Sequence, residues 1–522
     1  MASLLLSLLT FALGAAAALP RRDLPSLPLS SDDGWIHDAA GNRFPFVGIN
    51  WPAHEKAMIP EGLQHQSIAS IVSRVSETGF NSVRLTFATE MVDDILDRGG
   101  DVSLRAALAT ALGAENGTRV LDSILEHNPS FDADTTRLEV FDAVAAELAR
   151  RDILVHLDNH VSKAGWCCAA DDGNGWWGDQ HFNASSWVRG LAYMAEHGKD
   201  RWPSFSSVGL RNELRQGPSG GESYTWQTWK DRMLQAAEAV HAANPDLLIF
   251  FGGRLFSFDL AGAVDGRVTA EPDFRFSVAE LPFANRFVFE QHQYDQGQVA
   301  TGDCATYYFL LGTFGSNAPT APEGKNRAPL VMSEWGHDQS DDGEEWNGTF
   351  RRCIADYMVK NRVGWMMWVL GGSYYVREGE HDRDEPWGES SRMMDGGRVS
   401  LLTIDRPTRS RMGRLSRDEG ITAAADGHQA NIRRLQPDGV KQQKHNTDGR
   451  DDGHERNTCS SDSHRESHHR GVSAARRWGG DVGDSGDTGP LCCGSTGWHD
   501  GILSERIQRQ NMQCWESCPR RD

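Results

Sequence analysis

The chain has 522 residues, 24% of them charged, and a formal net charge of −20. That length accommodates one large domain with extra material, or several small ones. The acidic balance argues against nucleic acid or an anionic membrane surface as the main partner and suits a neutral substrate. The first residues, MASLLLSLLTFALGAAAALP, hold an apolar core from Leu4 to Leu13, then small residues with an A-x-A pattern near Ala17 and Ala18. This is the form of a secretory signal over residues 1–18, although no Lys or Arg precedes the core. The run falls short of the roughly 20 residues needed to span a bilayer, and no later segment is long and apolar enough, so no membrane partner is expected. A secreted, extracellular chain gives meaning to three glycosylation sequons, at Asn116, Asn183 and Asn347, and makes the nine cysteines candidates for disulfides.

Eight short, nearly continuous apolar runs follow: 44–51, 82–87, 153–160, 207–213, 247–253, 287–295, 330–336 and 364–370. Runs of this kind are expected of strands covered on both faces. Between several of them lie helical stripes, on Ile68, Ile71, Val72 and Val75; on Leu138, Phe141, Val144 and Leu148; on Trp226, Trp229, Met233, Ala237 and Val240; and on Phe350, Ile354 and Tyr357. Strands alternating with helices imply a parallel sheet. Eight of them over residues 30–395 predict an α/β fold, a (β/α)₈ TIM barrel, with an open doubly wound sheet as the competing topology. Neither G-x-G-x-x-G after the first strand nor G-x-x-x-x-G-K-[ST] occurs, so nucleotide folds have no support.

In such a barrel the chemistry sits at the carboxyl ends of the strands. Those ends carry Arg84, Asp158-Asn159-His160, Asn212-Glu213, His292-Gln293-Tyr294, Ser333-Glu334-Trp335-Gly336, and Trp365 with Trp368. Glu213 and Glu334 thus end two different strands on one face, with ionisable and polar groups between them. Two carboxylates flanking a cleft suit glycoside hydrolysis, one protonating the leaving oxygen and the other attacking the anomeric carbon.

The ordered set GINW (48–51), Arg84 in SVRLTF, His160 in LDNH, Asn212-Glu213, His292-x-Tyr294, SEWG (333–336) and the Trp of WVL (368–370) resembles glycoside hydrolase family 5, the cellulase family. EGLQHQSI (61–68) and GGSYYVREG (371–379) are similar to secreted fungal members, and the resemblance covers about residues 33 to 390. It implies a retaining mechanism with Glu213 as acid/base and Glu334 as nucleophile, acting on a β-linked oligo- or polysaccharide. The expected reading is a monomeric, endo-acting β-glucanase without cofactor or metal. A β-mannanase, an exo-β-glycosidase or a non-catalytic carbohydrate-binding barrel are the alternatives. Asn212 is expected at the sugar 2-hydroxyl, Tyr294 and Arg84 beside Glu334, His292 beside Glu213, His160 at a sugar hydroxyl and Trp368 beneath a pyranose face.

Departures from the family pattern are Leu214 where Pro usually follows Asn-Glu, and no recognisable final helix after WGESSR (387–392). The latter leaves open whether strand eight closes onto strand one. The loop SKAGWCCAADDGNGWWGDQ brings Trp166, Trp176 and Trp177 beside the site, as subsite wall or as loop core. Adjacent Cys167 and Cys168 are not expected to pair with each other, whereas Cys304 and Cys353 could bridge. Residues 400–522 lose apolar periodicity and are rich in Gly, Asp, Arg, Ser and His. They are expected to be disordered, or the product of a misread exon or shifted frame. Their His and Cys residues lack metal-site spacing.

Overall fold

The computed structural model describes residues 24–217, 220–294, 304–337 and 349–385. The signal segment, Asn347 and the 400–522 tail lie outside the described residues. Eight parallel strands form a closed barrel in chain order: β3 (Val47–Trp51), β4 (Ser82–Ala88), β5 (Leu154–Val161), β6 (Phe205–Gly209), β7 (Leu248–Gly252), β8 (Phe287–Tyr294), β9 (Leu330–Gly336) and β10 (Gly364–Met367). They are preceded by an antiparallel hairpin of β1 (Ser30–Asp32) and β2 (Trp35–His37), and followed by another of β11 (Ser373–Arg377) and β12 (Glu380–Asp384). Each of the eight apolar runs overlaps one barrel strand, although β4 and β5 end one residue later than their runs and β6 begins two residues earlier. The closure left open by the sequence is made: Trp365, Met366 and Met367 of β10 pair with Val47, Gly48 and Ile49 of β3. Strand eight is buried rather than exposed.

The four apolar stripes lie on the helices Ile68–Glu77, Arg137–Arg150, Trp226–Ala243 and Thr349–Lys360, with the stripe residues buried. Local chemistry sets their starts. Thr136 accepts from the Glu139 backbone N–H while Glu139 accepts from that of Thr136, a reciprocal cap of the kind that contributes on the order of 1 kcal/mol. The third helix ends at Asn244, before Pro245, which can neither donate to nor continue a helix. Among the described residues no helix is long and apolar enough to cross a membrane.

The barrel interior changes character from one end to the other. At its amino-terminal end Phe46, Leu154, Leu248, Phe250, Val288, Val331 and Met366 form an apolar cluster, closed by Ile36 of β2 and by Leu29. Side chains alternate along a strand, so the positions two residues further on share the interior. On β5 these are His156, then Asp158, then His160; on β8 they are Glu290, then His292. The floor is therefore apolar, the middle carries buried charge, and the carboxyl ends hold the reactive groups. Gly209 makes room for this charge. A Cβ there would lie 3.0 Å from Asp158 Oδ1 and 3.3 Å from Glu290 Oε2.

Candidate active site

Arg84 is fully buried on β4 and organises the centre. Its Nη1 donates to Glu334 Oε1 at 2.6 Å and to Asn50 Oδ1 at 2.8 Å. Its Nη2 donates to Asn212 Oδ1 at 2.9 Å and pairs with Asp158 Oδ1 at 2.8 Å and Glu290 Oε1 at 3.2 Å. One cation thus serves three buried carboxylates. Burial opposes its charge, but Asp158, Glu334 and Glu290 raise its affinity for the proton above the ordinary arginine value. Removing one partner of a buried charge set costs about 3–5 kcal/mol, because the remaining charges stay desolvated. Arg84→Met is therefore expected to lose stability on that scale in urea denaturation; an unchanged midpoint would show the carboxylates relaxing without it.

Glu334 sits near the end of β9 with only 6% of its side chain exposed. Tyr294 donates its hydroxyl proton to Glu334 Oε2 at 2.9 Å. Burial raises the Glu334 carboxyl above the ordinary glutamate value, while His292 and Arg84 pull it back. Glu213 lies four residues beyond the end of β6, not within the strand as its apolar run suggested. Its backbone takes φ 44°, in the left-handed region that costs a non-glycine residue strain. The loop fixes that turn without proline. Leu214 is buried, its carbonyl accepts from Phe256 N, and Arg215 donates to the Glu213 carbonyl at 2.8 Å and to Ala169 O at 2.9 Å.

His292 stands between the two glutamates. Its Nδ1 donates to Glu213 Oε1 at 2.9 Å and lies 3.5 Å from Glu334 Oε2. Burial alone would neutralise it, but the Glu334 carboxylate, with Glu213 and Glu290, pushes it up to about 10. Carboxylate oxygens of Glu213 and Glu334 and a ring nitrogen of His292 all lie within 4.8 Å of one another. Three such atoms could hold a metal ion by spacing alone; here the His292 Nδ1 is engaged in its hydrogen bond to Glu213 Oε1.

The opposite wall is neutral. His160 donates from Nδ1 to Asp158 Oδ2 at 2.7 Å, which leaves Nε2 to accept from Asn212 Nδ2 at 3.3 Å. Burial, with Arg84 and His292 nearby, holds His160 well below the ordinary histidine value. Its ring stacks on Trp368 at 5.6 Å and meets His54 at 3.9 Å with the rings tilted by 32°. Trp368 follows β10 directly and remains 7% exposed. The structure thus gathers Arg84, His160, Asn212, Glu213, His292, Tyr294, Glu334 and Trp368 at one mouth.

A family model described as Cellulase (glycosyl hydrolase family 5) matches residues 37–373 of this chain. The chain belongs to glycosyl hydrolase family 5. It is 34% identical over 394 residues to a "Glycosyl hydrolase 5 family protein" of Chamaecyparis obtusa, a match covering 73% of this chain and 65% of that relative. This chain therefore spans just under two thirds of that relative's length. An "Endoglucanase" of Paenibacillus polymyxa is 22% identical, over 64% of this chain and 77% of its own. Among solved structures, an endocellulase of Pyrococcus horikoshii in complex with cellotetraose superposes with a TM-score of 0.54 at 15% identity, covering 76% of this chain and all of that one.

This family 5 chain also buries charged residues to which the strand-end reading gave no role. Asp158, named there without one, and Glu290, not named, sit two positions before His160 and His292, so strand alternation alone would have placed them inside. Asn50 donates to the Ser333 and Met367 carbonyls at 2.8 and 3.0 Å, tying β3 to β9 and β10. Three loop expectations resolve differently. Trp176 and Trp177 are loop core, packed with Phe182, Trp187 and Tyr224, and not subsite wall. Trp166 is half-buried, with the Arg377 guanidinium 3.2 Å from its ring centre. Cys167 and Cys168 are bonded to each other, against expectation, because the loop turns both side chains to the same side. Cys304 and Cys353 bridge as expected.

Buried histidines of both kinds set a pH dependence of stability. His54 and His160 are held well below the free value, and His156, with burial as the main cause, at about 4. An unfolded chain protonates all three near pH 6.5. The stability they contribute is present above that pH and is lost as pH falls toward 4. His292 has the opposite sign: its contribution is present below about pH 6.5 and is lost as pH rises through about 10. The urea midpoint is expected to fall on both sides of neutrality; a midpoint constant between pH 7 and about pH 4.5 would contradict the neutral assignments.

Proposed function

We propose that the chain is a secreted, retaining glycoside hydrolase that cleaves internal β-linkages of a glucan, with Glu334 as nucleophile and Glu213 as acid/base. The observation that carries this is the approach of the two carboxylates to within 4.8 Å of each other and of His292. Retaining enzymes place their carboxyl groups about 5–5.5 Å apart, whereas inverting ones leave about 6.5–9.5 Å for a water. Family membership and the endoglucanase and endocellulase names of relatives agree with a β-glucan substrate.

In this reading Glu334 attacks the anomeric carbon, oriented by Arg84 and Tyr294. Glu213 gives its proton to the glycosidic oxygen and the leaving sugar departs. Glu213 then takes a proton from water, whose oxygen attacks the same carbon and frees Glu334, so two inversions give retention. His292 donates to Glu213 Oε1 at 2.9 Å and so orients that carboxyl group for both proton transfers. Forming the glycosyl ester removes the Glu334 charge, the largest upward influence on His292. Asn212, fixed by Arg84 on one side and His160 on the other, presents its amide to the 2-hydroxyl. Trp368 offers its face to the pyranose ring.

Secretion is supported by the signal-like start, by exposed Asn183 in its sequon, and by two disulfides, which form in oxidising compartments. The test is release of reducing ends from a panel of soluble β-glucans, β-mannans and other β-glycans, run beside Glu334→Ala. Activity on glucan that vanishes in the variant supports the proposal. Activity on mannan alone would change the substrate, and a folded protein inactive on every glycan would leave a binding barrel.

The raised Glu334 carboxyl also fixes the acid side of the rate profile. Attack requires the ionised form, so activity should fall with decreasing pH earlier than for an ordinary glutamate. Arg84→Lys keeps a positive charge but not the fork, and is expected to shift that limb less than Arg84→Met, which shifts it upward. An acid limb unmoved by Arg84→Met would remove the guanidinium from the control of Glu334.

A further inference from the structure

The disulfide between Cys167 and Cys168 is not explained by stability. A bond between neighbours in sequence closes no chain loop and so removes almost none of the unfolded state's freedom, unlike Cys304–Cys353, which spans 49 residues. Its position is informative. Both sulfurs and a Glu213 carboxylate oxygen lie within 4.8 Å of one another. Asn212 Nδ2 is 3.6 Å from Cys167 Sγ and 3.4 Å from Cys168 Sγ. Cys167 is buried, whereas Cys168 is half-buried and keeps an accessible side. The pair therefore presents a small, rigid, polarisable and weakly hydrogen-bonding surface beside the proton donor.

The two glutamates divide the cleft. Glu334 is enclosed by Arg84, His292 and Tyr294, so the sugar that becomes esterified lies over it. The glycosidic oxygen must sit at Glu213, and the leaving sugar extends beyond it. The disulfide adjoins that donor. We propose that the Cys167–Cys168 disulfide is the apolar platform of the leaving-sugar subsite, contacting the C–H face of a β-linked hexopyranose; this rests on the assignment of Glu213 as acid/base and Glu334 as nucleophile. Soft sulfur against a ring of C–H groups provides dispersion contact without a competing polar demand. The same surface receives an acceptor sugar when the glycosyl-enzyme transfers to a sugar instead of to water.

The test compares two substrates that differ only in what leaves. Cellotetraose departs with a sugar on the platform, whereas β-cellobiosyl fluoride releases fluoride and places no ring there. In Cys167→Ala/Cys168→Ala, kcat/KM on cellotetraose is expected to fall about tenfold or more, a loss of about 1.4 kcal/mol of transition-state binding. Turnover of the fluoride should change by less than about threefold, and the fraction of glycosyl-enzyme captured by added cellobiose should fall in step with cellotetraose. Equal losses on both substrates would overturn the proposal and make the disulfide a support for Asn212 and Glu213. No loss on either would remove it from the site. If the double variant does not fold, the parent enzyme is reduced with a phosphine, and alkylation with mass analysis identifies the opened bridge. Opening at 167–168 with 304–353 intact should reproduce the same selective loss. A parent enzyme that turns over neither substrate would defeat the glucanase reading itself, and the platform with it.

Discussion

Glu334→Ala is expected to lower kcat on a soluble β-glucan by at least about 10⁴-fold while leaving cellotetraose binding within a few-fold. The loss is large because the carboxylate forms a bond that no neighbour can form. Tyr294 is a donor, Arg84 is a cation, and the carboxylates of Asp158 and Glu290 lie deeper in the barrel. Binding survives because Asn212, His160 and Trp368 do not depend on Glu334. The fold should survive, at a cost in stability, because Arg84 retains two further carboxylate partners, Asp158 and Glu290, which lie 2.8 Å and 3.2 Å from it in the parent protein. The missing side chain leaves room for a small anion beneath the sugar, so azide should restore turnover and yield a β-glycosyl substrate's azide with inverted configuration. Near-normal rates without azide would remove Glu334 from the reaction. Rescue with retained configuration would place the nucleophile elsewhere.

The same chemistry explains what could be read from the chain alone. Strands buried on both faces leave a strong trace, because most of their residues must be apolar: all eight barrel strands overlap predicted runs, five lie wholly inside them, and β4, β5 and β6 extend one or two residues beyond. Their order then located the carboxyl ends, and five of the eight proposed site residues, Arg84, His160, His292, Tyr294 and Glu334, lie on the strands themselves, whereas Asn212, Glu213 and Trp368 follow strand ends. Glu213 was legible as a residue and not as a conformation. The run VGL continues past Gly209, where pairing ends, and nothing in residue type announces a left-handed backbone at a glutamate. The helices Thr89–Arg98, Leu104–Leu112, Ala114–His127 and Ala184–Arg201 carry no stripe in the sequence reading; the first directly follows β4, and the second and third pack on each other as an insertion before β5. The apolar stripes of the first three are short and separated by caps at Gly99, Ser103 and Gly113.

Buried charge was the harder part. A run such as FVFEQHQY was taken for its apolar content, and Glu290 within it received no role. Yet a glutamate with no solvent access must be paired, and its phase on β8 aims it at the interior beside Arg84. Against burial, Arg84, the His292 bond and His156 hold Glu290 down to about 2, whereas burial pushes Asp158 up to about 6. Asp158 adds to the upward push on Glu334, and Glu290 adds to that on His292. The bond between adjacent Cys167 and Cys168 was not legible, because adjacency in sequence does not say whether the loop turns both side chains to the same side.

Glu213→Ala is expected to show a different dependence on the leaving group, and this separates the two carboxylates experimentally. On a glucan, whose leaving alkoxide needs a proton, the rate of glycosylation should fall by about 10²–10⁴-fold. On 2,4-dinitrophenyl β-cellobioside, whose phenolate leaves unaided, the first step should be nearly unimpaired, because Glu334 keeps Arg84 and Tyr294. The ester then persists, since no base activates water, so a burst of phenolate should precede slow turnover. Azide should relieve that slow step and release a product of retained configuration, the opposite of its effect in Glu334→Ala. Glu213→Gln should behave in the same way if the lost function is proton transfer and not the charge that balances His292. A uniform loss on glucan and dinitrophenyl glycoside alike would mean that removing Glu213 disturbs Glu334 through His292. The acid/base role would then have to be sought in His292 itself, the group that holds its proton up to about pH 10 between the two carboxylates.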